Sequence, residues 1–474
     1  MQGRTSQRRM QKSFRVYAHK KWGVNLKIAC VAAEDISLGF GYVISYLKQR
    51  GDDVRLFFDP CQFARGYARS DLLANLIGVR DRLCSDIDDF NPDIVCFSVV
   101  TAHYKWGLEL AKRIKERMPK VRIFFGGVHP TLVPEEVRKH DFIDDVIVGD
   151  GIEYFGGEFD PDKIFPDREI FLKELPPEHR KIQLFMTGVG CPFSCSYCGQ
   201  EQLRAVGQFK FKRRSAEGCI DELIQIKRSG AEYILFVDDI FIINKDWLEN
   251  FLRNYGVFVD LPFSCFVHPK FVTEDIMKLL KESGCQSAWM GIQTGFFPLR
   301  RDILNRKETN EEIEKACKII KDQGIKLLVD HIFGIPFENE ISNDISHALY
   351  SKIKPDVINC YQLLYFPKAK IIDHALRCNY LQKEDVEKIN RGEGIVYQQG
   401  NKGQKYYDMY AKSFVAIPLG SVIFEILPMW LLKIIILIKA GRGFTILACL
   451  QNEFFFTWKS ICKKLSGAKV FTKR

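Results

Sequence analysis

Apolar positions along this chain fall into two successive series of short runs separated by stretches with helical spacing. In the first series, Asn25 to Val31, Asp53 to Phe58, Asp93 to Ser98, Val121 to Phe125 and Asp145 to Val148 read as strands, with helices over Gly39 to Arg50 and Trp106 to Met118. Strands and helices alternating at this spacing predict a parallel, doubly wound α/β sheet. In the second series, Ile182 to Met186, Tyr233 to Val237, Leu261 to Phe266, Ser287 to Ile292 and Leu327 to Phe333 are strands, with helices over Ser215 to Ser229, Glu274 to Glu282 and Asn310 to Gln323. That repeat predicts a full or partial parallel (β/α) barrel, and in both folds functional side chains collect at the carboxyl ends of the strands.

The boundaries follow from composition. Residues 1–24 form a basic arm, 25–155 the first α/β domain, 156–180 a charged linker with Pro161, Pro166, Pro176 and Pro177, 181–370 the barrel, and 371–474 a helical cap with an apolar, basic tail. The most apolar window, Val415 to Ile438, is broken by Pro418, Glu425, Pro428 and Lys433, whereas a membrane-spanning helix needs about 20 mostly apolar residues in a row. Beyond it, eight Lys or Arg and the single acid Glu453 interleave with Phe454, Phe455, Phe456 and Trp458. This end suits either peripheral association with an anionic membrane or a cap helix followed by a solvated tail.

The net charge of +10 sits mainly at the two ends, which argues against a nucleic-acid-reading module. Fifteen cysteines scattered without a framework pattern argue for a reducing compartment, hence a cytoplasmic location, with the inner face of the membrane open to the carboxyl end.

Three of those cysteines are not scattered. Cys191, Cys195 and Cys198 lie at spacing C-x-x-x-C-x-x-C on a loop that leaves the strand Ile182 to Met186. A structural zinc site wants four ligands, and the nearest further candidates, His179 and Cys219, are not at finger spacing. An iron-sulfur cubane normally takes four thiolates, so a loop supplying three leaves one iron open to a substrate or cofactor.

The loop resembles the signature of the radical S-adenosylmethionine (SAM) superfamily, in which an aromatic residue, here Tyr197, precedes the last cysteine. The resemblance implies a [4Fe-4S] cluster on Cys191, Cys195 and Cys198, SAM chelated at the open iron, and Tyr197 against the adenine. It further implies a 5′-deoxyadenosyl radical formed on reduction by an external donor of flavodoxin or ferredoxin type. Arg213-Arg214-Ser215, Phe236 to Phe241, Gly291 to Gly295, Leu304-Asn305-Arg306 and Phe333 to Pro336 echo the segments that build the SAM pocket in the cobalamin-type members. By that likeness Asp238 or Asp239 faces the methionine amino end or ribose, and Gln293, where the family often has glutamate, the ribose or carboxylate.

The first domain resembles the cobalamin-binding domain that precedes the radical SAM domain in one large subgroup. The likeness rests on Leu38-Gly39-Phe40-Gly41, Asn91-Pro92-Asp93, Phe97-Ser98, Gly126 to Thr131 and Val148 to Glu153. It implies corrinoid contacts at Leu38, Gly39, Ser98, Gly126, Gly127 and His129. The first loop, Asp35 to Gly39, lacks the histidine that binds cobalt in many cobalamin domains, which implies either a corrinoid with no protein histidine on its metal or a vestigial domain that binds no corrinoid.

Together the resemblances imply a cobalamin-dependent radical SAM methyltransferase acting on an unactivated carbon of a small-molecule or lipid-like substrate. A cyclase or ring-rearranging enzyme with the same cofactors, and a corrinoid or SAM sensor without turnover, are the alternatives.

Overall fold

The computed structural model describes residues 25–34, 36–61, 79–205, 211–393 and Phe414. The basic arm, Asp35 of the first loop, and the apolar and basic stretches beyond Val415 lie outside the described residues. Those described form two compact units, one running to Pro177 and including Asn390–Glu393, the other from Glu178 to Ile389 with Phe414.

The first unit is built on five parallel strands, β1 (Lys27–Ala33), β2 (Asp53–Asp59), β3 (Ile94–Ser98), β4 (Arg122–Gly126) and β5 (Asp145–Val146), in the order β2-β1-β3-β4-β5. The strands read as continuous apolar runs because both faces are covered. Val31, Val95, Phe97, Ile123 and Phe125 pack on one face with the helices Val79–Phe90 and Tyr104–Arg117. Ile28, Cys30, Ile94, Cys96 and Phe124 pack on the other with Leu38–Gln49. The order reverses between β1 and β3, and at such a switch point the loops beyond the strands' carboxyl ends part to leave a ligand crevice. Part of the expected linker belongs to this core, for Phe171 on the Arg168–Leu172 helix is fully buried and Leu175 packs beside it.

The second unit begins with β6 (Ile182–Phe185), followed by a small antiparallel hairpin of β7 (Gly188–Val189) and β8 (Lys212–Arg213). Its main sheet adds β9 (Tyr233–Phe236), β10 (Phe263–Val267), β11 (Cys285–Gln293), β12 (Lys326–Phe333) and β13 (Val357–Gln362), all parallel, in the order β13-β12-β11-β10-β9-β6. The two edge strands do not pair with each other, so the sheet is an open half-barrel.

Alternation along each strand decides which side chains can act. Cys265, Ala288, Met290, Ile292, Leu327, Val329 and Phe333 face the helices in one large core. Their neighbours Phe266, Trp289, Gly291, Gln293 and Asp330 therefore line the other, concave face. Among the described residues no helix is long and apolar enough to cross a membrane.

Candidate functional site

The cysteine loop leaves the carboxyl end of β6 and is tied down through its backbone. The Arg204 guanidinium donates to the Cys191 carbonyl at 2.6 Å and the Phe193 carbonyl at 2.7 Å. Asn305 donates to the Ser194 carbonyl at 2.7 Å, the Ser196 amide to Leu304 at 3.1 Å, and the Ile371 amide to Ser196 at 3.1 Å. Five carbonyl and amide groups of the loop are thus held from three other segments, while the three thiols stay partly exposed.

Burial raises all three thiols, Cys195 to about 11, with the Arg306 charge opposing the rise at Cys195. Such thiols ionise when a metal takes them, because the metal's charge replaces the lost solvation. Among the described residues no three His, Cys, Asp or Glu side chains converge on a point that would hold a single ion. Cys219, considered as a fourth ligand, is fully buried in the hydrophobic core. The loop carries three soft thiols, a donor set of the kind iron-sulfur clusters take.

The residues around the loop sort into those that build it and those that face it. Asp238, one of the two aspartates expected to face SAM, is buried. Its carboxylate accepts the Thr187 amide at 3.0 Å, the Thr187 hydroxyl at 2.7 Å and Arg213 Nη1 at 3.2 Å, contacts that tie β9 to the cysteine loop's approach and to β8. Asp239 is the exposed one of the two, and it acts electrostatically on both Cys191 and Cys198. Desolvation, then the adjacent Asp238 charge, push its carboxyl up to about 6.

Gln293 ends β11 at a register shift against β12, with φ +69° and a side chain folded back over Gly291. A non-glycine residue in that region is strained, and its buried Oε1 has no hydrogen-bond partner. An unsatisfied acceptor at the carboxyl edge of the sheet can take a hydrogen bond from a ligand's donor. Tyr197 packs beside the apolar cluster of Leu304, Ile335 and Leu363, and its hydroxyl meets Arg306 Nη1 at 3.4 Å.

Reasoning from the sequence did not single out His268 or Glu308 as site residues, and named Arg306 only within a segment that echoes the SAM pocket. His268 follows β10 directly and stacks on Phe193 of the cysteine loop, 4.4 Å between ring centroids and 8° between planes. His268 stands just past the carboxyl end of a strand, where functional side chains of such folds collect, and that position is the signal that could have found it. Glu308, buried in a connection, carries no such signal.

In the first unit, Ser98 and Gly126 end β3 and β4, Gly127 follows, and Leu38 and Gly39 open the helix after β1, so all five stand at the carboxyl edge of the sheet. Gly127 has φ +98°, and a Cβ there would lie 2.7 Å from the Val99 carbonyl oxygen and 2.8 Å from its nitrogen. Its glycine is demanded by its own loop, whatever binds above. Gly39 is different, since a Cβ there meets nothing within 4 Å, which leaves an open surface at the edge suited to a flat ligand.

His129 does not join this edge. It is fully buried, its Nδ1 lies 3.2 Å from Thr101 Oγ1 and its ring 4.1 Å from that of Tyr104. Burial pushes it down to about 4, against the Asn390 carbonyl contact, so it is a neutral, buried imidazole.

Comparison with known proteins agrees with both halves. The B12 binding domain family model matches residues 25–156, and the Radical SAM superfamily model matches residues 185–347. An uncharacterized methyltransferase of Pyrococcus horikoshii is 25% identical over 335 residues, covering 62% of this chain and 72% of that protein. The anaerobic magnesium-protoporphyrin IX monomethyl ester cyclase of Rubrivivax gelatinosus is 22% identical over 372 residues, covering 67% of this chain and 62% of its own. Among solved structures, the radical SAM methyltransferase TsrM of Kitasatospora setae, with cobalamin and a [4Fe-4S] cluster bound, superposes with a TM-score of 0.57 at 14% identity. That match covers 75% of this chain and 79% of TsrM, and shows a shared fold. With a B12-binding sheet, a half-barrel carrying the three-cysteine loop, and both family models matched in that order, the chain belongs to the cobalamin-dependent radical SAM enzymes.

Proposed function

We propose that the protein transfers a methyl group to an unactivated carbon of a small-molecule or lipid-like substrate. The observation that carries the reading is the braced cysteine loop at the carboxyl edge of the half-barrel, in a chain that also matches the B12 binding domain. Bound cluster and SAM supply a radical able to remove a hydrogen atom from a carbon with no acidic proton, and the corrinoid supplies the methyl group.

The chain's own residues then have separable tasks. Cys191, Cys195 and Cys198 hold the cluster. Asp239 and Gln293 orient SAM by its amino group, ribose or carboxylate, and Tyr197 lies against the adenine. Arg204 and Asn305 keep the loop in place, and Leu38, Gly39, Ser98, Gly126 and Gly127 form the corrinoid edge. Phe266 and Trp289, whose rings lie 5.3 Å apart on adjacent strands, give the concave face an apolar, water-excluding wall.

The cyclase relative favours a second reading, in which the same cofactors close or rearrange a ring without methyl transfer. Product counting separates the two. Reduced, reconstituted protein acting as a methyltransferase releases S-adenosylhomocysteine as well as 5′-deoxyadenosine for each product, whereas a cyclase releases 5′-deoxyadenosine alone. Formation of neither leaves a sensor.

A further inference from the structure

Phe193 and Tyr197 stand two residues either side of Cys195, and a single chain of contacts grips both. Phe193 lies flat on the His268 imidazole. His268 Nδ1 accepts the Lys270 amide at 3.3 Å, which leaves the proton on Nε2, 2.9 Å from Glu308 Oε1. The same carboxylate oxygen accepts Arg306 Nε at 3.0 Å and Nη2 at 2.6 Å, and Arg306 Nη1 reaches the Tyr197 hydroxyl at 3.4 Å. His268, Arg306 and Glu308 are all buried.

The charges in this chain are firmly held. Burial alone would raise the Glu308 carboxyl, but the His268 hydrogen bond and the Arg306 charge keep it well below the usual carboxylate range. Arg306 stays a cation despite its burial, paired with Glu308 at 2.6 Å. A buried guanidinium and a buried carboxylate thus stand in the chain of contacts that ends on Phe193 and Tyr197, two residues either side of Cys195. In a low-dielectric surrounding such fixed charges act strongly on their neighbours.

We propose that His268, Glu308 and Arg306 are a positioning relay that clamps Phe193 and Tyr197 around Cys195 and sets the electrostatic potential at its sulfur, tuning the reduction potential of the cluster held there. The inference rests on the reading of the three cysteines as cluster ligands. Net charge near the sulfurs is one of the main determinants of a cluster's potential. Removing the carboxylate leaves Arg306 uncompensated and favours the reduced cluster, while removing the guanidinium leaves Glu308 and favours the oxidised one.

The test is an anaerobic redox titration of the full chain, reconstituted with iron and sulfide and followed by electron paramagnetic resonance, for the wild type, Glu308→Gln, Arg306→Gln and Arg306→Lys. The relay predicts a midpoint moved upward in Glu308→Gln, downward in Arg306→Gln and near the wild-type value in Arg306→Lys. Shifts of one sign in both Gln variants, or no shift at full iron content, overturn it. Loss of the cluster from all three variants makes the residues a scaffold and also overturns the tuning role. A wild-type chain that takes up no iron and sulfide instead brings down the cluster reading itself.

Discussion

Replacing Asp238 by Asn tests the division of labour between the paired aspartates. Asp238 and Arg213 form a buried pair, with side chains 4% and 10% exposed. Burial pushes Asp238 up and Arg213 down, with their attraction pulling each back. The intact pair thus contributes little net stability, but losing one member leaves the other charged and unpaired, at a cost of about 3–5 kcal/mol. Arg213 keeps a 2.8 Å hydrogen bond to the Phe241 carbonyl and lies 4.5 Å from the Trp247 ring, and Asn can still accept one Thr187 donor, so the low end applies, about 3 kcal/mol. For a unit of this size that lowers the melting temperature by about 6–12 °C. Calorimetry of Asp238→Asn against wild type reads this shift. Asp239→Asn, by contrast, leaves the melting temperature in place and weakens SAM binding, measured by equilibrium dialysis. An Asp238→Asn protein that melts like wild type yet has lost SAM binding would refute the assignment.

Further outcomes follow from other sites. Gly127→Ala forces a Cβ into the Val99 backbone at positive φ and is expected to destabilise the first unit by at least about 2 kcal/mol in urea unfolding, whereas Gly39→Ala is neutral within about 1 kcal/mol and lowers corrinoid affinity in absorbance titrations. Arg204→Met removes two charge-assisted hydrogen bonds to the cysteine loop, about 1.5 kcal/mol each, and is expected to lower iron and sulfide uptake after reconstitution; uptake equal to wild type would contradict the bracing role. Burial raises the Glu338 carboxyl from 4.5 to about 8, opposed by the Gly334 amide bond. The folded protein therefore binds this proton more tightly than the unfolded chain, so stability is full below about pH 4.5 and falls as pH rises toward about 8. Glu338→Gln should flatten melting temperature against pH in that window.

Much of the architecture was written in periodicity. The strands of both sheets except β13 and the short hairpin pair β7 and β8 lie within a few residues of their apolar runs, and helix starts such as Ser215 and Thr309 carry the N-caps that fix them. The helix Lys245–Phe258 was missed although Leu248, Phe251, Leu252 and Tyr255 share one buried face after the Asn244 cap. Its polar neighbours masked the stripe, as they did in Val79–Phe90. At the site, cysteine spacing points to a shared centre because covalent geometry confines three thiols to one loop. Side-chain direction is not local in that way. Asp238 and Asp239 are adjacent in sequence, yet Asp238 is buried and Asp239 exposed, a difference set by the loop beyond the strand. His129 likewise looked like an edge residue until Thr101 and Tyr104 closed over it.

The central claim is that three thiolates on one braced loop hold a cluster that cleaves SAM. Anaerobic reconstitution, dithionite reduction and quantification of 5′-deoxyadenosine, in parallel with iron and sulfide analysis, test it in wild type and Cys195→Ala. The account predicts about four irons per chain and steady nucleoside formation in the wild type, with the nucleoside absent from the variant. A variant that cleaves SAM at the wild-type rate, or a wild-type chain without iron, would contradict it.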